Sequence, residues 1–344
     1  MKLNKKQNEI YNFILKHKGY LKKSAFQLLN LNSNWTNIKD CELALKEARI
    51  NNPGYSGEKM KAYKVNGTFV KNQVVKPLLK TGVLYKDSMM NNIRSTPGIY
   101  YITGCAHAPW HNKKMYDSVF KFLSKEIELE GIILAGDIAD MNSLSSHDRG
   151  KIPINGVTLD WEYKEVNKFL DEFDKLKYKS INSTKDFIYG NHEDRYNRIK
   201  KDSDIAKYGD SLISPIVGLN LLSRGYRVYD NWKSDGIILG NHLEVNHGEF
   251  LNVHSAKKTI DTYRKSVLYF HTHRFQIFVE GMVGGWNMGA GADFNAPVFN
   301  YATRAMKTSW INSSCLVTID EEGYYHIQPL MWINNQLIIN GKKY

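Results

Sequence analysis

The run Ile132-Ile133-Leu134-Ala135-Gly136-Asp137 constrains this chain more than any other part of it. Four apolar residues stop abruptly on Gly-Asp. A short run of that kind reads as a strand covered on both faces, as in the parallel part of an α/β sheet. The aspartate then lands at the carboxyl end of the strand, where open α/β sheets gather their ligands. The pattern recurs. Residues 99–103 end in Gly104-Cys105-Ala106-His107, and residues 187–189 end in Gly190-Asn191-His192-Glu193. Residues 243–246 end in His247-Gly248-Glu249, and residues 267–270 end in His271-Thr272-His273. Carboxylate, imidazole and amide oxygen all bind hard or borderline metal ions. Singly, each motif is ordinary: Gly-Asp after a strand marks a turn, and His-x-His is a common surface or core pair. Five such ends directed at one place make a two-metal site.

Around these ends the sequence alternates strand and helix. Helical spacing covers residues 113–128 and again 160–176, the latter with Trp161, Tyr163, Val166, Phe169, Leu170 and Phe173 on its apolar side. Further helices are expected after Glu193 and over 255–263, with strands at 131–135, 187–189, 236–239, 243–246 and 267–270. After Arg274 the pattern turns to strands alone, at 276–283, 314–320, 324–329 and 336–339. This order predicts an α/β fold with two sheets packed face to face and helices outside. The run from Gly281 to Asp293 is rich in glycine, but no helical pattern follows it, so it is not a dinucleotide fingerprint. It is expected to form tight turns near the site. Its aromatic neighbours Trp286, Phe294, Phe299 and Tyr301 are either core or stacking surfaces for a base.

Charge divides the chain. Residues 1–94 hold 18 Lys/Arg against 6 Asp/Glu, and the remaining residues hold 29 of each. The whole excess therefore sits in the first quarter. A basic block beside a neutral one suggests a tether for a polyanion, nucleic acid first. The competing account is a solvated Lys-rich surface. Three short helical patterns (around 5–16, 21–29 and 35–49) precede Asn66-Gly67, a hairpin signal flanked by alternating apolar and basic residues. They suggest a winged helix-turn-helix over 1–75, or else a small helical capping domain, followed by a connecting arm over 76–96. Thr96-Pro97-Gly98 punctuates its end, so the catalytic domain is expected over 97–344. No apolar run approaches the ~18 residues of a membrane span. The basic start is followed by a polar helical pattern rather than the apolar core of a secretory signal. The cysteines Cys41, Cys105 and Cys315 are odd in number and far apart, which points to a reducing cytoplasm rather than a disulfide framework.

The ordered set from Gly104-Cys105-Ala106-His107 through Gly136-Asp137, Gly190-Asn191-His192-Glu193 and His247-Gly248-Glu249 to His271-Thr272-His273 resembles the calcineurin-like metallophosphoesterases. The likeness extends over residues 99–275. It is nearer to phage-encoded members, which share runs like Pro109-Trp110-His111-Asn112 and Ser143-Leu144-Ser145-Ser146-His147. The core motifs also occur in the SbcD-type DNA-repair exonucleases. The resemblance implies a two-sheet metallophosphoesterase sandwich and two divalent metal ions, with Asp137 bridging them. It implies Cys105, His107 and His273 on the first ion, and Asn191, His247 and His271 on the second. His192 would stand beside the scissile phosphate as general acid or charge stabiliser. His111, His147 and Arg195 are candidates for the substrate phosphate, and Asp140, Asp194 and Arg195 for orienting the ligands. The implied reaction is hydrolysis of a phosphodiester, in DNA, by water that the metals activate. The expected partner is DNA and not a membrane, and the expected location is the cytoplasm, the host's if the chain is phage-encoded. Phosphoesterase action on nucleotides or cyclic nucleotides is one alternative. A DNA-binding protein with an impaired catalytic half is another. Cys105 is the departure, because the family places Asp there. A thiolate favours Zn²⁺ or Fe²⁺, with Mn²⁺ also acceptable at the pair, over Mg²⁺.

Overall fold

The computed structural model describes residues 92–145, 157–199, 214–233 and 236–344. The helix-turn-helix expectation over 1–75, most of the arm over 76–96, and His147 lie outside the described residues. What is described is mixed α/β, built on two sheets.

The larger sheet has eight strands. Its parallel centre is β2 (Gly98–Thr103), β3 (Leu129–Ala135), β4 (Thr184–Ile188) and β5 (Arg227–Tyr229), side by side in that order. Every residue of β3 is buried, which is why it reads as an unbroken apolar run. On the other side of β2 the sheet continues antiparallel through β11 (Asn312–Ile319), β12 (Tyr325–Ile333), β13 (Gln336–Ile339) and β14 (Lys342–Lys343). The smaller sheet has six strands. They are β1 (Ile93–Arg94), β6 (Ile237–Leu239), β7 (Leu243–Val245), β8 (Ser266–Tyr269), β10 (Val283–Met288) and β9 (Phe275–Glu280), in that order.

Strand alternation puts two cores on the two faces of the larger sheet. Tyr100, Ile102, Ile133, Ala135, Val317 and Ile319 face the smaller sheet, against Leu239, Val245, Leu268 and Met288. Tyr101, Ile132, Leu134 and Phe187 face the other way, onto α1 (Lys113–Glu126) and α2 (Leu159–Asp174) through Met115, Val119, Val166, Leu170 and Phe173. Asn112 caps α1 by accepting from the backbone N–H of Met115, and Thr158 caps α2 by accepting from that of Trp161. A third helix, α3 (Asp194–Ile199), follows β4, and α4 (Ser255–Tyr263) packs on β9 and β10. No helix among the described residues is long and apolar enough to cross a membrane.

Three expectations need correction. Ile93–Arg94 belongs to the smaller sheet rather than to a connecting arm, pairing in parallel with Ile238 and Leu239. Two residues are too few to show a period. The strand is fixed instead by Arg94, a buried side chain. Its Nε donates to Asp186 Oδ2 at 3.0 Å, and its Nη2 donates to Asp186 Oδ1 and to the Tyr229 hydroxyl, both at 2.6 Å. This ties β1 of one sheet to β4 and β5 of the other. Second, the glycine-rich run is not all turns. Gly281-Met282 forms the turn that the strand expectation ran through, and Val283–Met288 is a strand with neighbours on both sides. A Cβ on Gly285 would stand 2.6 Å from the Ala256 carbonyl oxygen, so the glycine serves close approach of α4 to the sheet. Third, β12 runs on past Pro329 to Ile333. Pro329 pairs with Cys315 on one side and sits where β13 no longer flanks β12.

Candidate metal centre

The strand-end loops are held in register before any side chain acts. Beyond β2 and β3 the backbone continues to pair: Cys105 N–H donates to the Gly136 carbonyl, His107 N–H to that of Asp137, and Ala108 N–H to that of Ile138. Cys105, His107, Asp137 and His273 all take left-handed backbone angles, with φ between 47° and 61°. Each such residue costs about 1–3 kcal/mol and persists only where its surroundings dictate it. The twist turns these side chains inward from the strand ends. Two glycines make room for them. A Cβ on Gly136 would lie 2.4 Å from His247 Nδ1, and one on Gly190 would lie 2.1 Å from Asp137 Oδ1.

Glu193 binds the loops together. Its Oε2 accepts from Asp137 N–H at 2.9 Å and from Gly190 N–H at 2.8 Å, and its Oε1 accepts from Ala139 N–H at 2.8 Å. Burial, with the Asp137 charge next, pushes its carboxyl up to about 7. Sequence reasoning quoted Glu193 in its motif and gave it no task. The available signal was an acid directly after a chain of apolar and ligand residues.

Asp137 stands between two groups of donors. Its Oδ1 accepts from the His192 backbone N–H at 2.8 Å. Its Oδ2 lies 3.3 Å from His247 Nε2 and 3.9 Å from His107 Nε2, so one oxygen reaches toward both groups. Burial raises the pKa of this acid, but His247, His192 and His107 outweigh it and hold the carboxyl well below its usual range.

In the first group, His107 Nδ1 is 3.0 Å from Asp140 Oδ1 and must donate to it, which leaves Nε2 with a bare lone pair. That lone pair faces His273 Nε2 at 3.2 Å. In the second group, His247 Nδ1 meets the Ala135 carbonyl at 3.2 Å and must donate there. Its Nε2 then faces Asn191 Oδ1 and His271 Nδ1, both at 3.0 Å, as well as Asp137. Two inward clusters of electron pairs call for positive charge. Atoms about 2.1 Å from one ion stand about 2.9–3.4 Å apart at the corners of an octahedron or tetrahedron; the separations within each group fall in that range, while Asp137 Oδ2 stands further, at 3.9 Å, from His107 Nε2. The donor chemistry and spacing fit divalent cations. Burial, with neighbouring imidazoles, lowers the pKa of His107 and His273 and takes His271 to about 3, which keeps them neutral as ligation requires.

Cys105 is fully buried, and its Sγ lies within 4.8 Å of ligand atoms of His107 and His273 and, separately, of Asp137 and His247. It is therefore within reach of both groups. Burial, then Asp137 and Glu193, pushes its thiol up, so its proton leaves only in exchange for a cation.

His192 sits beside these groups. Its Nδ1 donates to the Asp140 carbonyl at 2.7 Å, and its Nε2 is 3.9 Å from Asp137 Oδ2. Arg195 Nη1 holds the same Asp140 carbonyl at 2.8 Å, and its Nη2 is 3.3 Å from His192 Nε2. Asp140 thus orients both His107 and His192. Asp194 has a different position from the one expected. It accepts from Asn197 Nδ2 at 3.0 Å inside α3 and pairs with Arg198. His111 is set apart as well. Its ring stacks on Phe169 with centroids 4.1 Å apart and meets Tyr116 edge-on, and burial lowers its pKa to about 4. That is a packing position between α1 and α2.

Aromatic rings flank the imidazoles on both sides. Phe299 lies 5.2 Å from His107, and Trp310 lies 4.7 Å from His273, centroid to centroid. Trp232, which sequence reasoning passed over, lies 6.0 Å from both His247 and His271.

No family model and no curated protein matches this sequence. Among solved structures, Vps29 of Entamoeba histolytica (a single mutant) is 12% identical at a TM-score of 0.37, covering 72% of this chain and 96% of its own. Vacuolar protein sorting 29 of Cryptosporidium parvum is 12% identical at 0.38, covering 72% and 95%. A conserved uncharacterized protein of Streptococcus pneumoniae TIGR4, a predicted phosphoesterase, is 10% identical at 0.27, covering 69% and 91%.

Proposed function

We propose that the chain is a metal-dependent phosphodiesterase whose substrate is nucleic acid, with Cys105, His107 and His273 holding one divalent ion and Asn191, His247 and His271 the other. One observation carries the reading: the lone pairs of these residues converge in two groups that share Asp137 Oδ2. Bound cations would supply an acidified water as nucleophile and neutralise charge on the phosphate oxygens. The chain itself does the rest. Asp140 and Glu193 fix the loops, and the Asp140 carbonyl sets the His192 tautomer. With Nδ1–H on that carbonyl, His192 Nε2 carries a proton only in the imidazolium form, which, against burial and Arg195, Asp137 and Asp140 favour; in that form it can give a proton to the leaving oxygen or hold charge on the phosphate. Arg195, 3.3 Å from that nitrogen, is suited to the same phosphate. The basic first quarter supports a polyanionic substrate over a free nucleotide.

The test is hydrolysis of bis-p-nitrophenyl phosphate with and without added Mn²⁺ or Zn²⁺. Turnover that needs metal and is abolished in both Asp137→Asn and His192→Ala is expected. Turnover indifferent to chelation, or surviving in Asp137→Asn, contradicts the reading. A second, non-catalytic reading has one observation in its favour: a fully buried thiol, Cys105, stands where the family it resembles places a carboxylate. Failure of wild-type protein in the same assay, with DNA binding retained, selects it.

A further inference from the structure

The proposed reaction leaves the aromatic flanks of the site without a task. On the side of His107 and His273, buried Phe299 carries the contact to the imidazoles, and Tyr301 lies beyond it with ring centroids 6.4 Å apart. Tyr301 is 68% exposed, a large ring held open to solvent at the edge of a polar centre. On the side of His247 and His271, the Trp232 indole stands 6.0 Å from each ring. It lines a cavity of about 60 Å³ with Lys233, Asn246, Gly248, Glu249 and Lys265. Lys233 Nζ sits 5.3 Å over the indole.

Each histidine group thus has an open or partly open ring near it, Trp232 directly and Tyr301 by way of Phe299, an order like the base–phosphate–base order of a nucleic acid strand. Duplex bases are already stacked and turn onto protein rings only at the cost of unpairing and unstacking, whereas single strands bind by stacking their bases on aromatic side chains. Resting on the phosphodiesterase reading above, we propose that Tyr301 and Trp232 are stacking platforms for the two nucleobases flanking the scissile phosphate, and that the substrate is a single strand. Lys233, above the indole, is placed for the next phosphate along that strand.

The experiment uses the full chain with Mn²⁺ and four substrates. They are a short single-stranded oligonucleotide, its duplex, the same strand with abasic residues flanking one phosphate, and bis-p-nitrophenyl phosphate. Wild type is expected to cleave the single strand in preference to its duplex. Trp232→Ala and Tyr301→Ala are each expected to lower kcat/KM on the single strand by about tenfold to a hundredfold, mostly through KM. On the abasic strand the variants and wild type converge. Trp232→Phe and Tyr301→Phe, which keep a ring, restore most of the loss and separate stacking from misfolding. Alanine variants that cleave the single strand as wild type does, while bis-p-nitrophenyl phosphate is turned over, overturn the stacking proposal and leave the phosphodiesterase reading standing. Duplex cleaved as fast as single strand also overturns it. Wild type inert toward all four substrates overturns both.

Discussion

At the scale of the residue, the centre is made by constraint of the backbone as much as by choice of side chain. Asp137 is fixed by its own N–H on Glu193 and by the His192 N–H on its Oδ1, so its second oxygen has one direction left. The histidines are similarly fixed: Asp140 and the Ala135 carbonyl each claim one ring nitrogen and leave the other for a cation. Cys105 is the residue on which metal identity turns. A buried thiol surrendered to a metal favours soft and borderline ions, so wild-type protein is expected to keep Zn²⁺ or Fe²⁺ through dialysis and to hold Mn²⁺ or Mg²⁺ weakly. Cys105→Asp reverses that order. Elemental analysis of both proteins, purified without added metal, checks it. Equal content and equal preference in the two would remove Cys105 from the ligands.

At the scale of the element, what the sequence shows depends on how far each strand repeats a pattern. β3 and β8 are long enough and apolar enough to be read directly, and their polar ends mark where chemistry collects. Helices α1, α2 and α4 begin within a residue of where spacing predicts them, because one face of each is apolar. β1 and β5, at two and three residues, carry no period and were invisible. The strand over Val283–Met288 was hidden by its glycines, which are there because α4 lies against them and because the Trp286 ring covers Gly284. Within the site, residue types and order were legible, while the places of Glu193 and Trp232 were not, since they come from contacts made across the fold. Arg94 belongs to the same class. Replacing it with alanine leaves Asp186 buried without its cation, and a broken buried pair costs about 3–5 kcal/mol. Denaturant unfolding of Arg94→Ala is expected to show a loss of that size. A loss under about 1 kcal/mol, the scale of an exposed pair, would mean that the two sheets do not depend on this tie.

At the scale of the whole molecule, the proposed function assigns the binding of a polyanion to the basic first quarter and its cleavage to the candidate metal centre. Because Asn92 and Arg94 are tied into the smaller sheet, the division falls before residue 92 rather than at 97. Removal of residues 1–91 is expected to spare turnover of bis-p-nitrophenyl phosphate. It should also weaken DNA binding and flatten its dependence on salt, since the released counterions follow the lost Lys and Arg. A truncated chain with full DNA affinity would refute the tether. The central claim is narrower: that two cations share Asp137. Anomalous diffraction from crystals soaked in Mn²⁺ tests it most directly. Two peaks are predicted, about 3.5–4 Å apart and both within bonding distance of Asp137, one toward His107 and His273 and the other toward Asn191, His247 and His271. A lone peak, or peaks bound elsewhere with Asp137 touching neither, would contradict it.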